Sequence, residues 1–174
     1  MSAIASFYVF PEAMLPELIE AAAVPPRLAP TFAERVRSLF SGRKDTYPKD
    51  PYWELLRARA SEQDEYPWSG WAFTYLELVL PKGLSLLGGG LAGPDAARLG
   101  ALRETTALFD YDRAQRLLDG LRPVVLRPEV LLDAIPEELG GELEAAKAVV
   151  GALEYAQRCL AAVRPGTMGL LSVG

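Results

Sequence analysis

Histidine is absent from the chain, and cysteine occurs once, at Cys159. Without histidine there is no Ser-His-Asp or Cys-His couple, and a zinc site lacks the nitrogen ligands it would need. One cysteine excludes an internal disulfide framework, so nothing points to an oxidising compartment. Also missing is any run of about 18 uncharged apolar residues, so no membrane partner is expected. Residues Met1 to Ser6 carry no positively charged region of the kind that opens a secretory signal. The expected location is the bacterial cytoplasm. No large block of like charge occurs either; Arg43-Lys44 and the acidic run Glu62-Gln63-Asp64-Glu65 are short and read as solvated surface. The net charge of −5 argues against a nucleic-acid backbone as partner.

What is present is an ordinary apolar load. Half of the 174 residues are hydrophobic, enough for one domain spanning residues 1–174 to bury a core. The richest stretch runs from Tyr66 to Pro81. Pro67 suits a helix start and Pro81 a stop, and between them the polar side chains are only Ser69, Thr74 and Glu77. Trp71, Tyr75 and Leu78 share one face, while Ala72, Leu76, Val79 and Leu80 cover the flank and back. A helix apolar on most of its circumference is expected inside the domain, with other elements around it.

Along the rest of the chain, residues 2–9 read as a strand, and Met14, Leu15, Leu18, Ile19 and Ala22 follow helical spacing. Pro16 fits that helix if residues 11–15 form an irregular first turn. Thr31-Phe32-Ala33-Glu34 is a capping box for a helix ending at Gly42, and residues 41–49 read as loop. Asp50-Pro51 opens another helix, with Asp50 as cap, and residues 61–65 form an acidic loop. Pro94 starts a short helix, Arg103 to Phe109 suits an internal strand, and Asp110 caps a helix stopped by Gly120. A short helix from Pro128 to Ala134 follows. A long helix, starting at Pro136 or Gly141, ends at Val163 with a seam of Leu143, Ala146, Val150, Leu153, Ala156, Leu160 and Val163. Thr167 to Val173 reads as a last strand that pairs with the first. The expected fold is α+β: a mostly helical single domain with a small sheet from the N- and C-terminal strands and one internal strand.

Few residues suggest chemistry. Asp110-Tyr111-Asp112 and the 62–65 run match no calcium loop, so no metal site is expected. Gly88-Gly89-Gly90-Leu91-Ala92-Gly93 before a helix could offer backbone donors to a phosphate. It is neither a dinucleotide fingerprint nor a P-loop and reads better as a turn, so no cofactor is expected. Cys159 lies in the long helix with no Lys or His near it in sequence and reads as an inert thiol. No residue is singled out as catalytic. Trp53, Trp68 and Trp71 cluster with Tyr47, Tyr52, Tyr66 and Tyr75. Tyr66 and Trp68, beside the acidic run, are the candidates for a binding surface toward another protein. Glu77, the lone acid on an apolar helix, is the third candidate, because burial raises a carboxyl's pKa.

The order of elements resembles the YfbM-like DUF1877 family of bacterial proteins. The carrying features are the Ile4–Phe10 strand leading into a helix, the Trp68–Leu80 helix, the helix from Asp110, the long helix to Val163 and the apolar C-terminal strand. That resemblance implies an α+β fold and a small cytosolic protein, and it supplies no catalytic residues. The histidine that family members often carry in the central helix is absent here. Two readings follow: a non-catalytic binding or interaction protein, of an immunity or accessory type, and alternatively a small enzyme with a carboxylate/Arg/Tyr pocket beside the central helix.

Overall fold

A computed structural model describes residues 4–25, 50–88, 90–103, 106–132 and 143–174. The fold is α+β, with seven α-helices among the described residues and one four-stranded antiparallel sheet. The capping box at Thr31–Glu34, the helix to Gly42, the 41–49 loop with Tyr47, and the Pro136/Gly141 start of the long helix lie outside the described residues.

Strand β1 (Ala5–Pro11) occupies an inner position because both of its faces are apolar. Ala5, Phe7 and Val9 enter one core, Tyr8 and Phe10 the other. Its partner β4 (Thr167–Val173) splits the same way, with Leu171 and Val173 on the first side and Met168 and Leu170 on the second. The two run antiparallel in unbroken register from Ala5↔Val173 to Pro11↔Thr167. Strand β3 (Thr106–Phe109) lies beyond β4, and β2 (Glu62–Glu65) lies beyond β1, giving the order β2-β1-β4-β3. Strands buried on both faces need helices on both sides.

Those helices are set by local chemistry. A 3₁₀ turn (Glu12–Met14) leads into α1 (Leu15–Ala23), where Pro16 sits in the first turn as expected. Helix α2 (Pro51–Arg59) is capped by Asp50, whose carboxylate accepts from the Tyr52 N–H at 3.0 Å. Helix α3 (Trp71–Val79) starts later than Pro67 would suggest, and Pro81 follows its end. Pro94 opens α4 (Pro94–Leu102). Asp110 caps α5 (Tyr111–Leu121), accepting from the Arg113 N–H at 2.7 Å. A short α6 (Pro128–Leu131) and the long α7 (Leu143–Ala162) complete the set. Helices α3, α5, α6 and α7 build the core under Phe7, Phe109 and Leu171; α1, α2 and α4 build the one under Phe10 and Leu170.

Four expectations need correction. The sheet, and not the 67–80 helix, is the element around which the others pack. The acidic run 62–65 is a strand: its backbone pairs with β1 from Ser6↔Glu65 to Val9↔Glu62. Charged side chains suit it because an edge strand must resist pairing with other chains. Gly120 does not stop α5, which continues through it; a Cβ there would lie 2.5 Å from Leu84 Cδ2, so the position is bare because Leu84 packs on it. The seam of the long helix is broader than expected: Ala146, Leu153, Ala156, Leu160 and Val163 are buried as expected, Val149, Ala152, Tyr155 and Cys159 join them, and Leu143 is exposed.

The glycine-rich segment covers the outer edge of β3. The Leu91 N–H donates to the Leu108 carbonyl at 2.6 Å, and a Cβ on Gly90 would stand 3.0 Å from that oxygen. Glycine is therefore required for close approach to a sheet edge.

Gly169 in β4 is similarly constrained. A Cβ there would lie 2.5 Å from the Phe7 ring and 2.9 Å from Val163 Cγ2. Gly169→Val should cost about 1–3 kcal/mol by overpacking. Urea unfolding measures this, and an unchanged midpoint would show that the ring has room to move.

Candidate functional site

Residues Tyr66 to Val79 pass around one end of the sheet and then along α7. Gly70 allows the turn, since a Cβ there would come within 3.1 Å of both the Ile4 carbonyl carbon and Val173 Cγ1. Helix α3 then presents two different faces. Ala72, Phe73 and Leu76, with Leu80 just beyond, are buried. Trp71 is 54% exposed and Leu78 72% exposed, with the exposed Thr74 between them on the same side. The expectation of an enclosed helix therefore fails. At about 100° per residue Thr74 falls about 60° from Trp71 and about 40° from Leu78, so this polar residue marks their face as the outward one.

Tyr66 is not on a surface. It is 3% exposed, and its hydroxyl donates to the Ala148 carbonyl of α7. Its ring meets Phe73 and Tyr155 edge-on, each at 5.3 Å between centroids, and Phe73 meets Tyr155 at 5.9 Å. Edge-to-face geometry of this kind is favourable beyond simple area burial. The three rings lock α3 to α7 from beneath. Tyr155 is held from the other side as well, because its hydroxyl donates to the Asp64 carbonyl of β2 at 2.7 Å.

Trp68 remains a surface residue, 46% exposed. The structure adds Trp71 and Leu78 to it, although the apolar pattern of the helix predicts both in the core. Between α3 and α7 runs an apolar groove of about 180 Å³, walled by Trp71 and Tyr75 on one side and Ala145, Ala148 and Val149 on the other. The 62–65 run contributes to a different surface: Asp64 forms an ion pair with Arg158 at 2.8 Å, and this strand lines a separate groove with Arg158 and Cys159.

Glu77 is neither a solvated acid nor part of a cavity described for the chain. Its carboxylate accepts from Ser85 Oγ at 2.6 Å, from the Leu86 N–H at 2.5 Å and from the Leu87 N–H at 2.9 Å. It therefore organises the turn after α3, with its oxygens committed to that task. Glu77→Ala would leave the N–H groups of Leu86 and Leu87 unpaired, and Leu86 is itself buried. The expected loss is about 2 kcal/mol in urea unfolding; a loss below about 0.5 kcal/mol would reassign the turn's stability to its apolar contacts.

Burial pushes the Cys159 thiol up to about 12, so the buried side chain holds its proton at neutral pH. Burial, followed by the Glu154 carboxylate, pushes the Tyr66 phenol up to about 12; burial raises Tyr155 further still. Among the described residues no group of three or more His, Cys, Asp or Glu is placed to hold a metal ion, and no helix is long and apolar enough to cross a membrane.

The raised phenols fix the sign of an alkaline transition. Below an unfolded pKa of about 10 both states keep these protons; above it the unfolded chain releases them first, so stability falls as pH rises. The melting temperature should hold to about pH 8.5, begin to decline as the unfolded Cys159 thiol ionises, and fall more steeply from about pH 10 toward about pH 11 as the phenols join it. A flat profile across that range would contradict the burial of these rings.

No protein-family model, no curated protein and no solved structure matches the chain.

Proposed function

We propose that this chain is a non-catalytic interaction protein whose docking face is the outer side of α3, centred on Trp68, Trp71 and Leu78. One observation carries the reading: three large apolar side chains stand exposed along one helix and its approach, beside a groove with apolar walls. Solvent-exposed aromatics grouped in this way are unfavourable unless covered, and tryptophan is the residue most enriched where binding energy concentrates. The partner is a protein that offers an apolar side chain to the groove between Trp71 and Val149. The proposal includes an immunity or accessory role in the bacterial cytoplasm and membership of the YfbM-like DUF1877 family. The order of strand, tryptophan-bearing helix, long helix and closing strand supports that kinship.

Trp68→Ala combined with Trp71→Ala tests the face. Both side chains are about half exposed, so the fold should lose no more than about 1 kcal/mol. Partner capture in a pull-down should fall by at least about tenfold, since hot-spot truncations cost roughly 2 kcal/mol each. Sedimentation of the purified chain identifies a second copy as the partner if wild type self-associates and the double variant does not. Equal capture by both proteins at equal melting temperature would remove the proposal.

A further inference from the structure

The opposite face of the sheet carries a polar cleft. Register places Glu65, Ser6 and Ser172 side by side on strands β2, β1 and β4, and Thr106 of β3 continues the row. The next row on that face, from Tyr8 to Leu170 and Leu108, already belongs to the core. A sheet row that faces a helix is ordinarily apolar, and three of these four side chains are alcohols. Above the row stands α2, where Trp53 and Arg57 are four residues apart and project to the same side. The ring of Trp53 lies 5.9 Å from that of Tyr8, tilted by 40°. The cleft among Trp53, Arg57, Gln63, Glu65 and the two serines is open to solvent and holds about 440 Å³, a volume within the range of small-molecule sites.

The charges in this cleft are uncommitted. Neither Arg57 nor Glu65 has an ion-pair partner among the described residues, although Arg59, Arg103 and Arg158 all do. Both are exposed. An anionic ligand would satisfy Arg57 but face Glu65; a cationic one would satisfy Glu65 but face Arg57. Only a ligand with both signs uses the two groups without repulsion. The guanidinium fork matches a carboxylate in two parallel hydrogen bonds, and the Trp53–Tyr8 wall offers apolar area to a side chain.

We propose that this cleft binds a zwitterion of the amino-acid type, a free α-amino acid or dipeptide with an aromatic or large apolar side chain. Arg57 takes its carboxylate and Glu65 its ammonium. Ser6 and Ser172 complete the polar contacts, and Trp53 packs on the side chain. The site lies on the other side of the sheet from the α3 face and stands or falls independently of it. It gathers a carboxylate, an arginine and a tyrosine, but from β2, α2 and β1, and not beside α3.

Calorimetric titration of the full chain with glycyl-L-phenylalanine tests the proposal. Saturable binding is expected at or below the millimolar range. Arg57→Met and Glu65→Gln, both at exposed positions, should each weaken it about tenfold without moving the melting temperature. Phenylpropionate, which lacks the ammonium, and phenethylamine, which lacks the carboxylate, should bind at least about tenfold more weakly than the dipeptide. No saturation up to about 10 mM of dipeptide would overturn the assignment. So would wild-type affinity in both variants, or phenylpropionate binding as tightly as the dipeptide.

Discussion

The pairing of β1 with β4 imposes a demand that shapes everything around it. Along most of its length each strand is apolar on both faces, so neither can lie at a boundary between protein and water. Once joined in register from Ala5↔Val173 to Pro11↔Thr167, they form a ribbon that must be covered twice. The covering explains why so many helices attend so small a sheet. It also explains why β2 and β3 can be only four residues long, since they serve as borders to the ribbon. On the β3 side the glycine-rich segment approaches closely enough to hydrogen-bond the edge, and on the β2 side charge does the protecting.

Within that frame the aromatic trio Tyr66, Phe73 and Tyr155 decides which side chains of α3 turn inward. With Phe73 fixed edge-on against two tyrosines, Trp71 and Leu78 have no direction left except outward. The exposed apolar face is thus a consequence of a well-packed interior contact, and the burial of Tyr66 is what holds the groove beside Trp71 in shape. Arg103 performs a comparable service on the other side of the sheet. It pairs with Asp50 at 2.8 Å while its guanidinium lies 4.7 Å over the Tyr52 ring, and it fixes the start of the helix that carries Trp53 and Arg57. Burial raises the Tyr52 phenol; Thr106 lies beside its hydroxyl without reaching hydrogen-bonding geometry.

Features that depend on neighbours in sequence were legible before any coordinates. Asp50 and Asp110 cap helices, Pro16 and Pro94 sit in first turns, and Thr167 to Val173 is a strand paired to the first. The caps and first turns follow from backbone chemistry within about four residues, and the last strand from its own apolar run between turn signals. The errors share a different cause. Strand β2 is held by main-chain groups of β1, so its side chains could not announce it. Tyr66 is buried by Ala148, Phe73 and Tyr155, two of which lie far along the chain. For α3 the apolar count hides the orientation, although the polar Thr74 lies on the outward side. The polar row of Glu65, Ser6, Ser172 and Thr106 was beyond reach, because only strand register collects residues so far apart.

The register of the ribbon also dictates a timetable. Residues 5–11 leave the ribosome well before the strand that completes them, which is made roughly 160 residues later. Until then a doubly greasy strand has no mate, and neither of the two cores can close over it. Helices nucleate as they appear, but both cores must wait for β4. Such late closure places a long, sticky nascent chain in the care of whatever holds it during synthesis.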